Sequence, residues 1–534
     1  MQYIYPKNII TAQGLCGAEN FRKEKPFQIG LYERDLMVVH GKGYVIFDFG
    51  KELSGGVRIL TFLVEGSGKV RLRFGESVGE TCAEIGEKNA TNDHSLRDFC
   101  VELQNYSDMT FGQTGFRFVR IDVLDDAAEI SFKSIVAAVD TDTREQVGTF
   151  VCDDQLVNEI FDTAAYTMRL CLQKGYIWDG VKRDRLVWIG DLYPEMRAAR
   201  SLYADVPEIT SCLDFAMEET PLPNWMAGIQ TYSVWWLIIL CEEYTASGDK
   251  EAFVKYLPYV RGLLLQIANY VAENGETSFG WNFIDWPTNC EDGDKIKEQD
   301  CAAGAYYLTK LAFTKATAFL RDMGEDVSLC EELLQKQAKA SVCVYRYKQV
   351  AGLGILSGDC SENNKKILLE GGAKGLSTFM SYPILTGVAM CGEYEKALSM
   401  AKKYYGGMLS VEATTFWEDF DLAWLENAGR LDELPTPEKR DIHGDYGAFC
   451  YKGYRHSLCH GWSAGVVAYL METVAGIKPV GTGLRRFKIE PHLSGLHCVK
   501  ATYPTPYGAI TITHEQTADG IKTTVDKPDD IEIV

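Results

Sequence analysis

The first part of the chain alternates apolar and polar residues with the period of two that indicates β-strands. Strands are predicted at residues 44–50 and 57–64, separated by a break at residues 54–56, and again at residues 115–121. Several short strands joined by glycine-rich turns at this spacing are typical of a β-sandwich or jelly roll. The pattern therefore predicts such a domain over residues 1–147.

Beyond residue 150 the apolar residues recur at intervals of three and four, which is the spacing of amphipathic helices. Leu156, Ile160, Ala164 and Met168 show this pattern first. Further helices are predicted at residues 233–247, 251–274, 300–322, 327–347, 393–405 and 461–474. Many helices over this length, joined by aromatic loops, predict helix pairs wrapped into a toroid over residues 148–476, because a plain bundle is smaller and has shorter loops.

The last part of the chain returns to β signals, at residues 486–491 and, after a Pro-Tyr-Gly turn, at residues 509–513. A second β-sandwich is therefore predicted over residues 477–534. The predicted fold class is a multidomain α+β protein, in which a helical toroid is flanked by N-terminal and C-terminal antiparallel β-sandwiches.

Composition narrows the classes of function. The 534 residues are 46% apolar, and 75 acidic against 54 basic residues give a formal net charge of −21. This charge disfavours nucleic acid and anionic membranes as partners, because those surfaces bind clustered lysine and arginine. It suits a neutral ligand such as a sugar, although carboxylates that only keep the surface soluble would give the same charge. An oligomer is left open.

The N-terminal sequence lacks the apolar core and cleavage site of a signal peptide. The most apolar run, residues 234–241, is far shorter than the roughly 18–20 residues that span a bilayer, and it predicts a buried helix. The 16 cysteines are scattered without a CxxC pair, which is typical of reduced thiols in a cytoplasmic protein. His456 and His460 have HxxxH spacing, but no third ligand is evident, so neither a metal nor another cofactor is expected.

Candidate chemistry is densest at residues 178–191, which hold three carboxylates, three cations and two tryptophans. Cleavage of a glycosidic bond needs one carboxylic acid to protonate the leaving oxygen and one carboxylate to activate water on the opposite face. Residues 412–421 again place carboxylates around a tryptophan, and residues 456–462 hold two histidines and a tryptophan. Each segment alone also fits an ordinary role, as a salt-bridged loop, an acidic helix start or a core histidine.

Taken in this order, the three segments resemble the bacterial α-L-rhamnosidases of glycoside hydrolase family 78. In that family a motif of the form D-x-x-x-R-(x)-[DE]-R-x-x-W-x-G-D precedes a T-T-x-W-E motif and a late histidine. The resemblance covers roughly residues 40–525, because further segments resemble the two β-sandwiches of the family. These segments are residues 47–50, 54–56, 73–76, 115–118, 475–477, 490–492 and 507–508. The resemblance implies an (α/α)6 toroid as the catalytic domain and inverting hydrolysis of terminal α-L-rhamnosides.

The resemblance also implies roles for individual residues. Asp184 matches the general acid, and Glu418 matches the base that activates water. Six more residues match substrate-binding positions: Asp179, Arg183, Trp188, Asp191, Trp286 and His460. Asp179, Arg183 and Asp191 match positions that bind rhamnose hydroxyls, and His460 matches a late ligand-binding histidine. Trp188 matches an apolar wall suited to the C6 methyl group of rhamnose, and Trp286 resembles another aromatic residue around the same sugar.

The sequence departs from the family pattern at the acid. Many members have glutamate where this chain has Asp184, whose side chain is about one methylene shorter, and the spacing from Asp179 to Asp184 is one residue tighter than in the commonest form. The extra modules of longer members are not seen, so small rhamnosides are the expected substrates.

Two alternatives stay open at this point. One is a hydrolase of the same fold that acts on another deoxy sugar or on a uronic acid, and the other is a sugar-binding protein with a decayed site. Five further carboxylates fit the cleft but are not distinguished from surface carboxylates: Glu52, Glu195, Glu298, Asp300 and Asp421.

Overall fold

The computed structural model describes residues 2–288 and 293–534. The strands are β1 (Gln2–Ile4), β2 (Asn8–Cys16), β3 (Met37–Glu65), β4 (Lys69–Gly75), β5 (Asp98–Glu102), β6 (Ser107–Val123), β7 (Glu129–Val139), β8 (Thr149–Cys152), β9 (Leu172–Gln173), β10 (Tyr176–Ile177), β11 (Ile477–Pro479), β12 (Arg486–Ile489), β13 (Cys498–Tyr503), β14 (Ile510–Thr517), β15 (Gly520–Asp526) and β16 (Glu532–Ile533).

The α-helices are α1 (Val78–Cys82), α2 (Gln155–Cys171), α3 (Leu192–Leu202), α4 (Pro207–Glu219), α5 (Gln230–Ser247), α6 (Lys250–Phe253), α7 (Leu257–Ala268), α8 (Lys295–Met323), α9 (Ser328–Gln337), α10 (Lys348–Leu356), α11 (Glu362–Leu369), α12 (Ser381–Met390), α13 (Tyr394–Leu409) and α14 (Val466–Tyr469).

The N-terminal module is an antiparallel sheet in the order β1-β7-β3-β6-β4-β5, with β2 paired to β3. The long strand β3 bends so that both of its ends pair with β7: Ile130 faces Val39 on one edge and Val64 on the other. The sheet therefore folds over on itself, and its apolar faces enclose a core that includes Phe47, Phe74 and other buried aromatic and aliphatic residues. The predicted N-terminal β-sandwich is confirmed.

The break predicted at residues 54–56 is wrong. Strand β3 continues through Ser54, Gly55 and Gly56, and the register with β6 shifts between Gly55 and Val57. An added Cβ at Gly55 would lie 2.2 Å from the Ala138 carbonyl oxygen. The glycines thus mark a bulge where the neighbouring strand comes close, which a sequence pattern does not separate from a turn.

The helices of residues 155–474 form two concentric rings within the described part of the chain. In the inner ring α3 packs against α5, α5 against α8, α8 against α10, α10 against α12, and α12 against α14, which closes the ring against α3. The outer helices α2, α4, α7, α9, α11 and α13 each precede an inner helix along the chain. Residues 234–241, which lie in the inner helix α5, are all buried, as predicted for this apolar run. The predicted (α/α)6 toroid is confirmed.

The predicted helix ends differ from the observed ones where polar turns interrupt the pattern. The helix predicted at residues 251–274 is divided into α6, a 3₁₀ turn at Val254–Tyr256 and α7. The helix predicted at residues 327–347 ends with α9 at Gln337, and the last predicted helix is a 3₁₀ turn, α14 and a π-helix at Leu470–Val474. The helices predicted at residues 251–274 and 327–347 are too long, because single apolar residues beyond the observed ends, Val271 and Val344, are also buried.

The C-terminal module holds a three-stranded sheet, β11-β12-β16, and a four-stranded sheet, β15-β14-β13-β8. The edge strand β8 precedes the toroid in sequence, and its residues Thr149–Cys152 pair with residues 499–502 of β13. Phe150, Ile477 and Phe487 belong to one continuous core with the toroid helices. The predicted C-terminal sandwich is confirmed, whereas the domain boundaries at residues 147/148 and 476/477 stay a prediction. Among the described residues, the helices are too short or too polar to cross a membrane.

The N-terminal sheet contacts the rim of the toroid through positions that leave no room for larger side chains. An added Cβ at Gly115 of β6 would lie 2.8 Å from both the Lys182 backbone nitrogen and the Val181 Cγ2 atom. Ser95 Oγ donates a hydrogen bond to the Lys182 carbonyl at 3.0 Å, and an Arg117 guanidinium nitrogen donates to the Glu412 carbonyl at 2.9 Å. The sheet therefore braces the loop that begins at residue 178.

We expect Gly115→Ala to destabilise the protein, because the new methyl group must displace the backbone at Lys182. Overpacking of this kind typically costs about 1–3 kcal/mol. Thermal unfolding measures the effect, with Gly429→Ala as the control, since its added Cβ would meet no atom closer than 3.5 Å. Equal unfolding midpoints for the two variants would contradict the close approach of strand β6 to this loop.

Candidate active site

The acidic segment at residues 178–191 forms a loop that leaves β10 and enters α3. Asp179 closes the loop, since its N–H donates to the Leu186 carbonyl at 3.1 Å and its Oδ1 accepts the Leu186 N–H at 2.8 Å. The Asp179 carbonyl accepts the N–H of Gly461 at 2.7 Å. These bonds fix the base of the loop against the last helical segment, and the tip of the loop carries the predicted acid.

The tip is a three-residue turn closed by a hydrogen bond from the Arg185 N–H to the Arg183 carbonyl at 2.7 Å. Asp184 and Arg185 have φ angles of 54° and 56°, in the left-handed region, where a residue other than glycine is strained by about 1 kcal/mol or more. The Arg185 guanidinium donates to the Gln113 carbonyl at 3.0 Å and so holds the turn from the N-terminal sheet. The strained turn sets the direction of the Asp184 carboxyl.

Arg183 joins the two carboxyls that the sequence analysis assigns to catalysis. Its Nη1 donates to Asp184 Oδ1 at 2.9 Å, and its Nη2 donates a short hydrogen bond to Glu418 Oε1. Its Nε donates to the Arg455 carbonyl at 3.1 Å, so all three donor groups of the fork have partners. The Arg183 and Glu418 side chains are each 4% exposed, so the pair is buried. Asp184 and Glu418 therefore share one pocket, on two arms of one guanidinium.

Glu418 is held by backbone groups as well as by Arg183. Its N–H donates to the Ser457 carbonyl at 3.0 Å, and its Oε2 accepts the Ser457 N–H at 3.2 Å. Its carbonyl accepts hydrogen bonds from Thr378 Oγ1 at 2.6 Å and from Trp462 Nε1 at 2.9 Å. Burial raises the pKa of the Glu418 carboxyl, but the adjacent Arg183 charge and its hydrogen bond outweigh burial and hold the pKa below its ordinary value.

Asp179, Asp191 and His460 form a second buried cluster beside this pair. His460 Nε2 lies 3.7 Å from Asp179 Oδ2 and 4.0 Å from Asp191 Oδ2. Tyr232 donates its phenol hydrogen to Asp191 Oδ1 at 2.9 Å. Burial raises the pKa of Asp179 and of Asp191 well above the ordinary value, and nearby carboxylates raise both further. Burial, with Arg183 nearby, lowers the pKa of His460 well below its ordinary value, so this imidazole is neutral.

Aromatic side chains connect the two predicted tryptophans. Trp188 packs edge-on against Tyr232 with ring centroids 6.2 Å apart, Tyr232 contacts Phe283 at 5.9 Å, and Phe283 contacts Trp286 at 5.1 Å. Phe449 stacks on Trp286 at 5.4 Å. This apolar band offers ring faces to the C–H groups of a sugar.

All eight residues predicted for the site lie in this region: Asp179, Arg183, Asp184, Trp188, Asp191, Trp286, Glu418 and His460. Their proximity is an observation, and their individual roles stay predictions.

The five carboxylates left undistinguished from surface groups fall into two classes. Glu52, Glu195 and Asp300 are buried, so the comparison with surface carboxylates is wrong for them, whereas Glu298 and Asp421 are exposed. Glu195 has a buried Oε1 with no hydrogen-bond partner within residues 2–288 and 293–534. Burial raises the pKa of this carboxyl well above its ordinary value, and the nearby Asp191 charge raises it further. Asp300 caps backbone N–H groups of residues 345–347 and is structural.

Four residues that contact the predicted site were not predicted from the sequence. His94, from a loop of the N-terminal module, lies 2.7 Å from Asp184 through its Nδ1. Tyr232 donates a hydrogen bond to Asp191. Asp285 is a buried carboxyl next to Trp286, and Asp419 is a half-buried carboxyl next to Glu418. His94 and Tyr232 lie outside the family motifs, so the sequence gives no signal for them. Asp285 and Asp419 directly adjoin the predicted residues Trp286 and Glu418, and this adjacency could have identified them.

One group of described residues has the composition of a metal site. Oxygen and nitrogen atoms of Glu76, Glu80 and His443 lie within 4.8 Å of one another. Lys182 Nζ lies 3.0 Å from Glu76 and 3.2 Å from Glu80 and also donates to the His456 carbonyl. An ammonium thus already supplies the positive charge that these carboxylates require, and the expectation that the protein needs no metal stays a prediction.

Three family models match the chain in the order of its structural modules. The bacterial alpha-L-rhamnosidase concanavalin-like domain matches residues 39–139, the bacterial alpha-L-rhamnosidase 6 hairpin glycosidase domain matches residues 145–346, and the bacterial alpha-L-rhamnosidase C-terminal domain matches residues 476–533. Together with the two helical rings, these matches place the chain among the six-hairpin glycosidases.

The relatives agree with the family models. A curated alpha-L-rhamnosidase of Alteromonas sp. (strain LOR) is 25% identical over 541 residues, which cover 91% of this chain and 55% of the relative. The chain belongs to the bacterial α-L-rhamnosidases of glycoside hydrolase family 78, as its motifs predict. It spans about half the length of this curated relative.

Solved structures of the same kind show the same fold. A GH78 family rhamnosidase of Bacillus sp. GL1 superposes with a TM-score of 0.75 at 21% identity, covering 94% of this chain and 54% of its own. A rhamnosidase from Klebsiella oxytoca with rhamnose bound gives a TM-score of 0.66 at 18% identity, covering 88% of this chain and 95% of its own.

Asp285 offers a test of the electrostatics around Trp286. Burial raises the pKa of Asp285 to about 7, although its carboxyl accepts hydrogen bonds from Ser377 Oγ at 2.5 Å and the Trp286 N–H at 2.8 Å. Between pH 4 and pH 7 the folded protein therefore keeps a proton that the unfolded chain has released. The stabilisation from this proton is complete below about pH 4, decreases as the pH rises from 4 to 7, and is lost above about pH 7.

We expect Asp285→Asn, whose amide oxygen can accept the Trp286 N–H while its NH2 group donates to Ser377 Oγ without titrating, to become more stable relative to the wild type as the pH rises. The difference in unfolding free energy should grow by about 1.4 kcal/mol per pH unit between pH 5 and 7 and level off above pH 7. Urea unfolding at pH 5, 6, 7 and 8 measures it. A difference that stays constant over this range would show that Asp285 is ionised in the folded protein.

Proposed function

We propose that the chain is an inverting glycoside hydrolase that releases terminal α-L-rhamnose from small rhamnosides. The observation that carries the proposal is the contact of Asp184 and Glu418 with the single guanidinium of Arg183, inside a pocket with aromatic walls. Inversion requires an acid and a base on opposite faces of one sugar ring. The name of the Alteromonas relative and the rhamnose bound in the Klebsiella oxytoca structure support rhamnose as the sugar.

Glu418 is the proposed base. Its lowered pKa keeps the carboxylate ionised at neutral pH, so that it can take a proton from water. The hydrogen bond from the Ser457 N–H to Oε2 fixes the plane of the carboxylate and the side on which a water molecule can approach. The water oxygen then forms a bond to C1 of the sugar while Glu418 accepts the proton.

Asp184 is the proposed acid. Its side chain is 15% exposed, against 4% for Glu418 and 3% for Asp179, so Asp184 is the carboxyl nearest the mouth of the site, where a leaving group departs. As the bond between C1 and the glycosidic oxygen breaks, Asp184 gives its proton to that oxygen. The strained turn at Asp184 and Arg185 decides how far this aspartate reaches.

The Asp179, Asp191 and His460 cluster is the proposed binding site for the sugar hydroxyls. Burial and nearby carboxylates make the ionised forms of Asp179 and Asp191 unfavourable. Positive charge that develops on the sugar ring in the transition state stabilises these ionised forms. His460 Nδ1 is buried without a hydrogen-bond partner among the described residues, and a sugar hydroxyl can supply one. Binding energy is therefore directed to the charged transition state.

The surroundings favour a neutral deoxy sugar over a uronic acid. A uronate would add a negative charge beside Asp179, Asp184 and Asp191, and the nearby Arg183 already pairs with two carboxyls. Trp188 provides the apolar surface proposed for the C6 methyl group. A decayed sugar-binding protein is the remaining alternative, and measurement of product formation separates it from a hydrolase.

Other parts of the proposal rest on the sequence. We predict from the sequence that the protein is cytoplasmic, that it needs no cofactor, and that it binds neither nucleic acid nor membranes. The oligomeric state is open. The preference for small rhamnosides is tested by comparing an aryl rhamnoside, a rhamnosyl disaccharide and a rhamnose-containing polysaccharide.

We expect Glu418→Gln to lower kcat for an aryl α-L-rhamnoside by about 10²–10⁴-fold, because the amide cannot accept a proton from water. The matched control is Glu426→Gln, which changes an exposed residue of the following segment and should leave kcat unaltered. A loss smaller than tenfold in Glu418→Gln would remove Glu418 from the role of base.

The stereochemistry of the first product tests inversion directly. Proton NMR recorded within the first minutes of hydrolysis should show the β-anomer of L-rhamnose before mutarotation. Initial formation of the α-anomer would contradict the inverting mechanism, and cleavage of an aryl uronide in preference to the rhamnoside would contradict the sugar assignment. Binding of rhamnose by calorimetry without any product would favour the decayed site.

A further inference from the structure

The N-terminal β module contributes a histidine to the catalytic loop of the toroid. His94 Nδ1 lies 2.7 Å from Asp184 Oδ1 and accepts the Asp184 N–H at 2.8 Å. On the other side of the ring, His94 Nε2 lies 3.2 Å from Asp93 Oδ1. Asp93 in turn binds the guanidinium of Arg455 at 2.7 Å. The acid is thus the end of a chain of contacts that runs from Arg455 through Asp93 and His94.

We propose that His94 positions Asp184 and keeps the acid proton on the pair that the two side chains form. The proposal rests on the function proposed above, in which Asp184 donates a proton to the leaving group. It adds that the N-terminal module takes part in the reaction through a side chain and does more than brace the toroid.

The hydrogen bonds determine the tautomer of His94. The Arg455 guanidinium holds the pKa of Asp93 below its ordinary value, so Asp93 is ionised and can only accept. The Nε2 atom of His94 therefore carries the hydrogen that Asp93 accepts, and Nδ1 of the neutral ring has a lone pair. The Asp184 N–H already points at that lone pair.

This tautomer decides where the proton of the pair resides. Two lone pairs 2.7 Å apart repel each other, so the contact between Nδ1 of His94 and Oδ1 of Asp184 requires a shared proton. We place that proton on the Asp184 carboxyl, so that its O–H and the Asp184 N–H share the one lone pair of Nδ1 in a three-centre hydrogen bond. Without the imidazole, the proton would have no acceptor on this side of Asp184, and the remaining ion pair of that carboxyl is the one with Arg183 at 2.9 Å.

Backbone contacts hold His94 in this place. Ser95 Oγ donates to the Lys182 carbonyl at 3.0 Å, and the Arg185 guanidinium donates to the His94 carbonyl at 2.8 Å. The residues on both sides of Asp184 are therefore fastened to the residues around His94. Asp93 and Asp184 contact the ring, and Arg183 contacts Asp184. Arg185 binds the His94 carbonyl and Arg455 binds Asp93. The Asp179 and Asp191 carboxyls lie near enough for the charge of Asp184 to raise their pKa.

The same contacts provide a route for the return of the proton. After Asp184 has given its proton to the glycosidic oxygen, it is a carboxylate 2.7 Å from Nδ1, and Asp93 is a carboxylate on the other side of the ring. The ring then lies between two carboxylates. The His94 side chain is 37% exposed, so we infer that the imidazole can take up a proton from solvent and pass it to Asp184 Oδ1, while Glu418 releases to solvent the proton it took from water.

The test compares His94→Ala and His94→Asn with the wild type over a range of pH. Asparagine retains a polar group near Asp184 but does not titrate. For a rhamnosyl disaccharide, which needs help from the acid, we expect His94→Ala to lower kcat about 10–100-fold and to move the basic limb of the kcat/KM profile at least one pH unit lower. For a 4-nitrophenyl rhamnoside, which leaves without strong protonation, kcat should change less than about threefold.

His94→Asn separates positioning from proton retention. We expect it to recover most of kcat on the acidic plateau while the basic limb stays at the lower pH. The proposal would be overturned if His94→Asn restored both kcat and the position of the basic limb. It would also be overturned if the pH dependence of kcat/KM for His94→Ala matched that of the wild type. His40→Ala is the control, since this histidine is also half-exposed but pairs with Glu129 far along the N-terminal sheet. Thermal unfolding of each variant shows that it is folded.

A second measurement does not depend on activity. Nitrogen-15 NMR of the labelled histidines, with His94→Asn used to assign the signal, should show the Nε2–H tautomer for His94 at neutral pH. Asp184→Asn should shift the titration of this signal, because the shared proton is lost. If these signals appear but the wild type hydrolyses no glycoside, the proposed function is wrong while the His94–Asp184 pair is supported. If hydrolysis occurs but His94 is an Nδ1–H tautomer whose titration is unchanged by Asp184→Asn, the His94–Asp184 pair is wrong while the proposed function is supported.

Discussion

The site depends on two adjacent cations, Lys182 and Arg183, which point into two different buried groups of carboxylates. Lys182 Nζ pairs with Glu76 and Glu80 of the N-terminal module, whereas Arg183 pairs with Asp184 and Glu418. A buried carboxylate without a partner is strongly destabilising, so each group needs its cation in place. The consecutive cations therefore hold the loop of residues 178–191 at the junction of the two modules.

This constraint explains the strain at the tip of the loop. With Lys182 held from one side and Asp179 bonded to Leu186 at the base, the chain has few residues in which to reverse direction. It does so through left-handed conformations at Asp184 and Arg185. The surroundings that maintain the strain come from the N-terminal module, through the Gln113 and His94 carbonyls that bind Arg185.

Much of the architecture could be predicted from the sequence because periodicity reports local geometry. The alternating strands and the three- and four-residue helical spacing identified both β modules and the toroid, and the catalytic motifs named eight residues that the fold brings together. Residues outside motifs escaped detection. His94 lies 90 residues before Asp184, in a polar loop whose neighbours have no period, and only the packing of the N-terminal module reveals their contact. The pairing of strand β8 with β13 was also not predicted, because the two strands lie at opposite ends of the toroid sequence.

The central claim is that Asp184 and Glu418 act on opposite faces of one sugar ring. A crystal structure of the Glu418→Gln protein with an uncleaved α-L-rhamnoside tests it most directly. The account predicts Asp184 within hydrogen-bonding distance of the glycosidic oxygen and residue 418 on the other face of C1, with a water molecule between the amide and C1. A sugar bound with both residues on one face, or in a cavity that Asp184 does not line, would contradict it.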